Sequence, residues 1–187
     1  MRISKRTAAG AAACLLTAAL VILGCGGSSE AAKARRVVAI SAGSDHSMLI
    51  TADGVLWGFG SNEDGQLGDG TTIDRHGPVE IMPGVSAVAA GQYHTMILAT
   101  DGTLLACGKN QFGQLGDGSH ETRLKPVAVM RDVARVSASH AHSLVLKKDG
   151  SLWAAGRNHR GQLGDGTKEN RASFVKVIDG VRDAAAG

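Results

Sequence analysis

Three observations predict an all-β protein made of β-propeller blades, each a sheet of four antiparallel strands. The sequence repeats with a period of 48 residues and without insertion or deletion. Each period holds short runs of small and β-branched residues between Asp-Gly and Gly-rich turns, and none of the long amphipathic runs a helical repeat needs. Finally, 26 glycines stand against two Trp, one Tyr and three Phe, which calls for many turns and an aliphatic core.

The repeats run over 37–84, 85–132 and 133–180, and the start of a fourth occupies 181–187. Sixteen of the 48 columns are identical in all three copies, which excludes coincidence. In the first copy Val37 to Ala42 reads as the first strand and His46 to Thr51 as the second. Asp53-Gly54 is a hairpin signal between apolar runs, leading into a third strand over Val55 to Gly60. Pro78 to Met82 is the fourth, with Pro78 at its first position, where no ladder donor is required. Four short strands per period is the pattern of a propeller blade.

The most specific block is Gly65-Gln66-Leu67-Gly68-Asp69-Gly70, which recurs letter for letter from Gly113-Gln114-Leu115-Gly116 and from Gly161-Gln162-Leu163-Gly164. Its glycines permit positive φ and close backbone approach. Gln66 can bond backbone groups, Leu67 can pack between blades, and Asp69 can close a turn. Taken with Ala42-Gly43-Ser44-Asp45-His46-Ser47, Asp53-Gly54 and Trp57-Gly58-Phe59-Gly60-Ser61-Asn62, the pattern resembles the regulator of chromosome condensation repeat over 37–187. That resemblance implies a seven-bladed propeller whose loops bind protein partners. Ser139 departs from the glycine of Gly43 and Gly91, Leu105 from the tryptophan, and Phe174 from the proline. About three blades of an expected seven make an incomplete propeller. The expectation is therefore a truncated fragment of a longer repeat protein, with self-association as the alternative, because an open wedge leaves apolar sheet faces bare.

The first 24 residues read as a signal peptide. Arg2, Lys5 and Arg6 form a positive start, and Ala8 to Leu23 is an uncharged, mostly apolar stretch that spans ~24 Å as a helix, short of the ~30 Å hydrocarbon core. It closes on Ile22-Leu23-Gly24-Cys25, which resembles a bacterial lipoprotein signal. The resemblance implies lipid attachment to Cys25, cleavage before it, and anchorage on the outer side of the cell envelope, at the outer membrane in a diderm host. Residues 25–36 would be a flexible, lipid-anchored tether. Without Arg2, Lys5 and Arg6, basic and acidic residues balance at 17 each, which argues against nucleic-acid binding.

No column points to catalysis or to a cofactor. Of three cysteines, Cys14 leaves with the signal and Cys25 is lipidated; Cys107 stands where Phe59 and Ala155 stand and reads as buried. Gly161 to Gly166 with Thr167-Lys168 has its last two residues in the wrong order for a phosphate loop. Asp64 and Asp74 are not kept between copies, which weakens a calcium reading. His46, His94 and His142 lie one per blade and are expected to bond backbone within their own blades, with no cysteine or carboxylate cluster to complete a zinc site. Arg75, Arg123 and Arg171 read as loop salt bridges.

Function is instead expected where the copies differ. Asp45, Tyr93 and Ala141 occupy one turn position, and Glu63-Asp64, Gln111-Phe112 and His159-Arg160 another. Of these, Asp45, Glu63, Tyr93, Phe112 and Arg160 are the candidate partner-binding residues, on loops that tolerate change over a fixed framework. The sequence thus reads as a non-catalytic, envelope-anchored scaffold for an unidentified protein partner. Guanine-nucleotide exchange is the family-based alternative, disfavoured by secretion, and a propeller hydrolase or lyase would need converging acids that no repeated column supplies.

Overall fold

The computed structural model describes residues 36–186, so the expected signal peptide, Cys25 and nearly all of the tether lie outside the described residues. Twelve strands form three sheets of four. The first contains β1 (Val37–Ala42), β2 (His46–Thr51), β3 (Leu56–Gly60) and β4 (Arg75–Met82). The second contains β5 (Val85–Ala90), β6 (His94–Ala99), β7 (Leu104–Gly108) and β8 (Arg123–Met130). The third contains β9 (Val133–Ala138), β10 (His142–Lys147), β11 (Leu152–Gly156) and β12 (Arg171–Ile178). Each is a simple antiparallel meander, the blade expected from the repeat.

The first two strands have the expected bounds, and β3 begins one residue late. The fourth is longer than expected, and Pro78 lies inside it. Val79 faces Gly58 while Arg75 faces Gly60, so the register shifts across Pro78. An irregularity on an outermost strand removes the need for the donor that proline lacks.

The core lies between the sheets. Met48, Ile50, Leu56 and Leu67 of the first blade pack with Val85, Ala90, Ile97 and Cys107 of the second. Met96, Leu98, Leu104 and Leu115 of the second pack in turn with Val133, Val145, Ala155 and Phe174 of the third. Leu67 and Leu115 are wholly buried in these layers, each worth about 1.5–3 kcal/mol relative to exposure. The first blade shows what packing covers: Ile40 is 81% exposed, whereas Val88 and Val136 in the same column are half-buried.

The meander divides the turns between two ends of each sheet. The Asp-Gly hairpins lie at one end. At the other lie the turn before each histidine and the long loop after the third strand, which holds the Gly-Gln-Leu-Gly block. Every variable residue singled out above falls at this loop end.

Candidate binding face

The loop end rests on a framework repeated in each blade. Asn62 is fully buried at the centre of its loop. Its Nδ2 donates to Asp69 Oδ1 at 3.0 Å and to the Thr71 carbonyl at 3.1 Å, while its Oδ1 accepts from the Leu67 amide at 3.0 Å. Gln66 Oε1 accepts from the Asp64 amide at 2.9 Å, and its Nε2 donates to Ser61 Oγ at 3.1 Å. Asp69 binds Arg75 at 2.6 Å, matched by Arg123 with Asp117 at 2.8 Å and Arg171 with Asp165 at 2.6 Å. Burial works to raise the Asp69 pKa, but hydrogen bonds from Thr71, Arg75 and Asn62 outweigh it and hold the carboxyl below its usual range. Asn110 and Asn158 repeat the arrangement.

The same block joins one blade to the next. The Gly70 amide donates to the Leu124 carbonyl at 2.9 Å, and the Gly118 amide to that of Ala172 at 3.0 Å. Gly113 has φ +80°, and a Cβ there would stand 2.3 Å from Ala172 Cα. Only glycine permits both that backbone conformation and that approach.

The histidines differ from expectation. His46 Nε2 lies 2.9 Å from Thr95 Oγ1 of the following blade, and His94 Nε2 lies 2.9 Å from Ser143 Oγ. They therefore bond side-chain hydroxyls across the blade boundary, not backbone within their own blade. Thr95 donates its single proton to the Gln66 carbonyl at 2.7 Å, and Ser143 donates to that of Gln114 at 2.8 Å. Each hydroxyl must then accept from the imidazole, which places the ring proton on Nε2. The reason lies in space: a Cβ on Gly43 or Gly91 would fall 2.4 or 2.3 Å from its blade's histidine Cε1, so the rings fill the room the glycines leave. Burial lowers the pKa of His46 to about 4 and of His94 to about 3, keeping both neutral. His142, beside Ser139 in the glycine column, is only half-buried and has no such hydroxyl among the described residues.

Cys107 is fully buried, and burial pushes its thiol up to about 12, with Asp69 adding to the effect. It packs against the preceding blade's block, 3.7 Å from the Gln66 carbonyl. Among the described residues no three His, Cys, Asp or Glu side chains gather as a metal site.

The variable residues come together at the loop end. Lys109 Nζ sits 4.9 Å from the Tyr93 ring centre and 3.3 Å from Asp64 Oδ2 of the preceding blade. One blade on, Arg157 stands 5.1 Å from the Phe112 ring centre and donates through Nε to His159 Nδ1 at 2.9 Å. Asp45, Glu63 and Arg160 are exposed, and Tyr93 and Phe112 half-buried. Sequence reasoning did not single out Lys109 and Arg157, which share the column of Ser61 and make the contacts between blades. It gave no role to the invariant asparagines, and it weighed the hydroxyls of Ser47 and Ser143 only as nucleophiles and not as the partners of the preceding blade's histidine. The signal for both was present: one column is invariant, and the other keeps a hydroxyl in every copy.

Blades of four strands joined by these loops define a β-propeller repeat protein. The chain belongs to the Regulator of chromosome condensation (RCC1) repeat family, whose model matches residues 53–98, 101–146 and 149–187. A second model of the same repeat matches 37–66, 85–114 and 133–162. The human E3 ubiquitin-protein ligase HERC2 is 50% identical over 38 residues, 20% of this chain and 1% of that protein. The Arabidopsis thaliana ultraviolet-B receptor UVR8 is 45% identical over 42 residues, 22% of this chain and 10% of the receptor. Human WBSCR16 superposes with a TM-score of 0.72 at 26% identity, covering 81% of this chain and 43% of that one. Yeast RCC1 (Prp20), in its complex with Kap60, gives 0.71 at 24% identity, covering 82% and 40%, a likeness of fold. The chain thus spans less than half the length of these propellers.

Proposed function

We propose that this protein is a non-catalytic, protein-binding propeller module whose loop end is the binding face, held at the cell envelope by lipid on Cys25. The observation that carries the reading is the separation of roles among columns. The invariant Asn62, Leu67, Asn110 and Leu115 are buried in the loop framework and the blade joints, while the loop-tip positions that change from blade to blade bring aromatic and charged side chains to one end. Tyr, Phe and Arg in such a setting are the types that anchor protein interfaces. The groups that elsewhere perform chemistry are engaged here: two imidazoles hold blades together, and the Cys107 thiol is kept protonated by burial. The Cys25 signal suits this role, because a tethered module needs no affinity for the membrane itself.

Site-specific photo-crosslinking of the full chain in its host tests this. A photoreactive residue at Phe112 should give a discrete adduct with another protein, and one at Asp101, in the hairpin at the opposite end, should not. Adducts from Asp101 alone, or from neither position, would refute the loop end as the binding face. Labelled palmitate should enter the wild-type chain and not Cys25→Ala; equal labelling of both would refute the anchor.

A further inference from the structure

Resting on the loop end as the binding face, we infer that Gln66 and Gln114 are positioning residues through which the following blade places each loop tip. Partner binding is thereby coupled to closure of the blade joint. The two glutamines stand at the joints of the first blade with the second and of the second with the third, and each is 1% exposed.

Each glutamine faces two ways. Its side chain serves its own loop: Gln66 Oε1 accepts from the Asp64 amide at 2.9 Å, and Gln114 Oε1 from the Phe112 amide at 3.0 Å. Its main chain serves the next blade: the Gln66 carbonyl accepts from Thr95 at 2.7 Å, and the Gln114 carbonyl from Ser143 at 2.8 Å. That blade also closes on the same residue through Gly108 and Gly156, where a Cβ would stand 3.2 and 3.1 Å from the Cα of Gln66 and Gln114. The tip is then held a second time, through its own side chain. Asp64 has Lys109 Nζ of the next blade at 3.3 Å, and Phe112 has the Arg157 guanidinium 5.1 Å from its ring centre.

Both routes reach the tip from the following blade, so Asp64 and Phe112 keep their backbone bond and their side-chain neighbour together only while the joint is closed. A partner that takes the tip in this arrangement favours the closed joint, and by reciprocity a loosened joint weakens the partner. The connection at the second joint runs from His94 through Ser143 and Gln114 to the Phe112 amide. His94, Ser143 and Gln114 are all buried, so water does not replace a bond lost among them.

The test is amide hydrogen exchange of the full chain in detergent micelles, read at Asp64 and Phe112. Ser143→Ala loosens the second joint and should speed exchange at Phe112 by about tenfold or more, the scale of one hydrogen bond, with Asp64 unchanged. Thr95→Val loosens the first joint and should speed Asp64 while sparing Phe112. Ser143→Thr and Thr95→Ser keep the hydroxyl and should restore the native rates. Equal acceleration of both tips in each variant would mean that the hydroxyls act only on overall stability, and would overturn the positioning role. No change at either tip would overturn it too, as would a response of Phe112 to Thr95→Val in place of Asp64. A second arm reads binding, with a photoreactive residue at Phe112. Its adduct should fall about tenfold in Ser143→Ala, within the range of coupling between sites, and recover in Ser143→Thr. An undiminished adduct in Ser143→Ala would overturn the coupling to the partner. Absence of the adduct from the otherwise wild-type chain would refute the binding face, and the exchange rates would still decide the positioning role.

Discussion

His46 of one blade and Thr95 of the next share a buried hydrogen bond of 2.9 Å, and because Thr95 donates onward to Gln66, the imidazole is the donor. The same relation at the same spacing links His94 to Ser143 and Gln114. A histidine column that resembles a row of catalytic or metal-binding groups is in this fold a set of joints.

Removing the hydroxyl should therefore cost stability out of proportion to its size. Thr95→Val keeps the shape but strands the Nε2 proton, at about 1–3 kcal/mol for an unmet group, and leaves the Gln66 carbonyl only the weak Cys107 thiol donor. Thr95→Ser should be nearly neutral, since Ser143 does the same work natively. Guanidinium unfolding of the two variants checks the contrast; equal stability of both would contradict the joint.

Protonation of the same histidines should make the fold acid-sensitive. Folded His46 and His94 accept a proton only near about 4 and about 3, against 6.5 ordinarily. Below about 6.5 the unfolded chain binds more protons, so stability falls as pH drops toward the folded values, by about 1.4 kcal/mol per pH unit for each histidine. Asp69, Asp117 and Asp165 are held below the usual carboxylate range and titrate at lower pH. Unfolding midpoints between pH 7 and 5 thus report the histidines, and His94→Gln should flatten the slope. A midpoint independent of pH over this interval would exclude the effect.

Two glycines of the repeated block separate backbone strain from blade packing. Gly113 and Gly161 have φ of +80° and +77°, but a Cβ on Gly161 meets only the Thr167 carbonyl at 3.8 Å. Gly161→Ala should cost about 1–2 kcal/mol for the left-handed conformation alone. Gly113→Ala adds a clash with the Ala172 backbone and should cost at least about 1–3 kcal/mol more. Thermal unfolding of the pair gives the difference, and equal costs would remove the packing role assigned to Gly113.

Cys107 should resist modification in the native state. With the side chain buried and the thiol raised to about 12, almost no thiolate is exposed near neutral pH. A thiol reagent should label it only as fast as the chain unfolds; rapid native labelling would show that the interface between the first two blades opens.

Much of this was legible in the sequence, and what was not has a physical cause. The 48-residue period and the Asp53-Gly54 signal located the strands, because alternation and turn chemistry are local properties. Pro78 misled because its missing donor suggests a strand start, whereas the edge strand absorbs it by a register shift. The partner of His46 was missed because periodicity assigns a residue to a column without saying which column of the next blade it meets. Lys109 and Arg157 were passed over for the same reason: their neighbours, Asp64 and Phe112, belong to the preceding blade.

The division of labour between framework and loop tips is tested most directly by measuring melting temperature and photo-adduct yield in the same variants, with the photoreactive residue at Tyr93. Asn110→Ala removes the buried centre of one loop and should lower the melting temperature substantially, since it leaves the Leu115 amide and Asp117 without a shared partner. Phe112→Ala and Arg160→Ala should change stability by no more than about 0.5 kcal/mol, as surface changes do, leaving the melting temperature close to wild type, yet abolish the adduct. If instead the loop-tip variants melt early, or form the adduct as well as wild type, the variable residues are structural and the loop end is not where this protein binds.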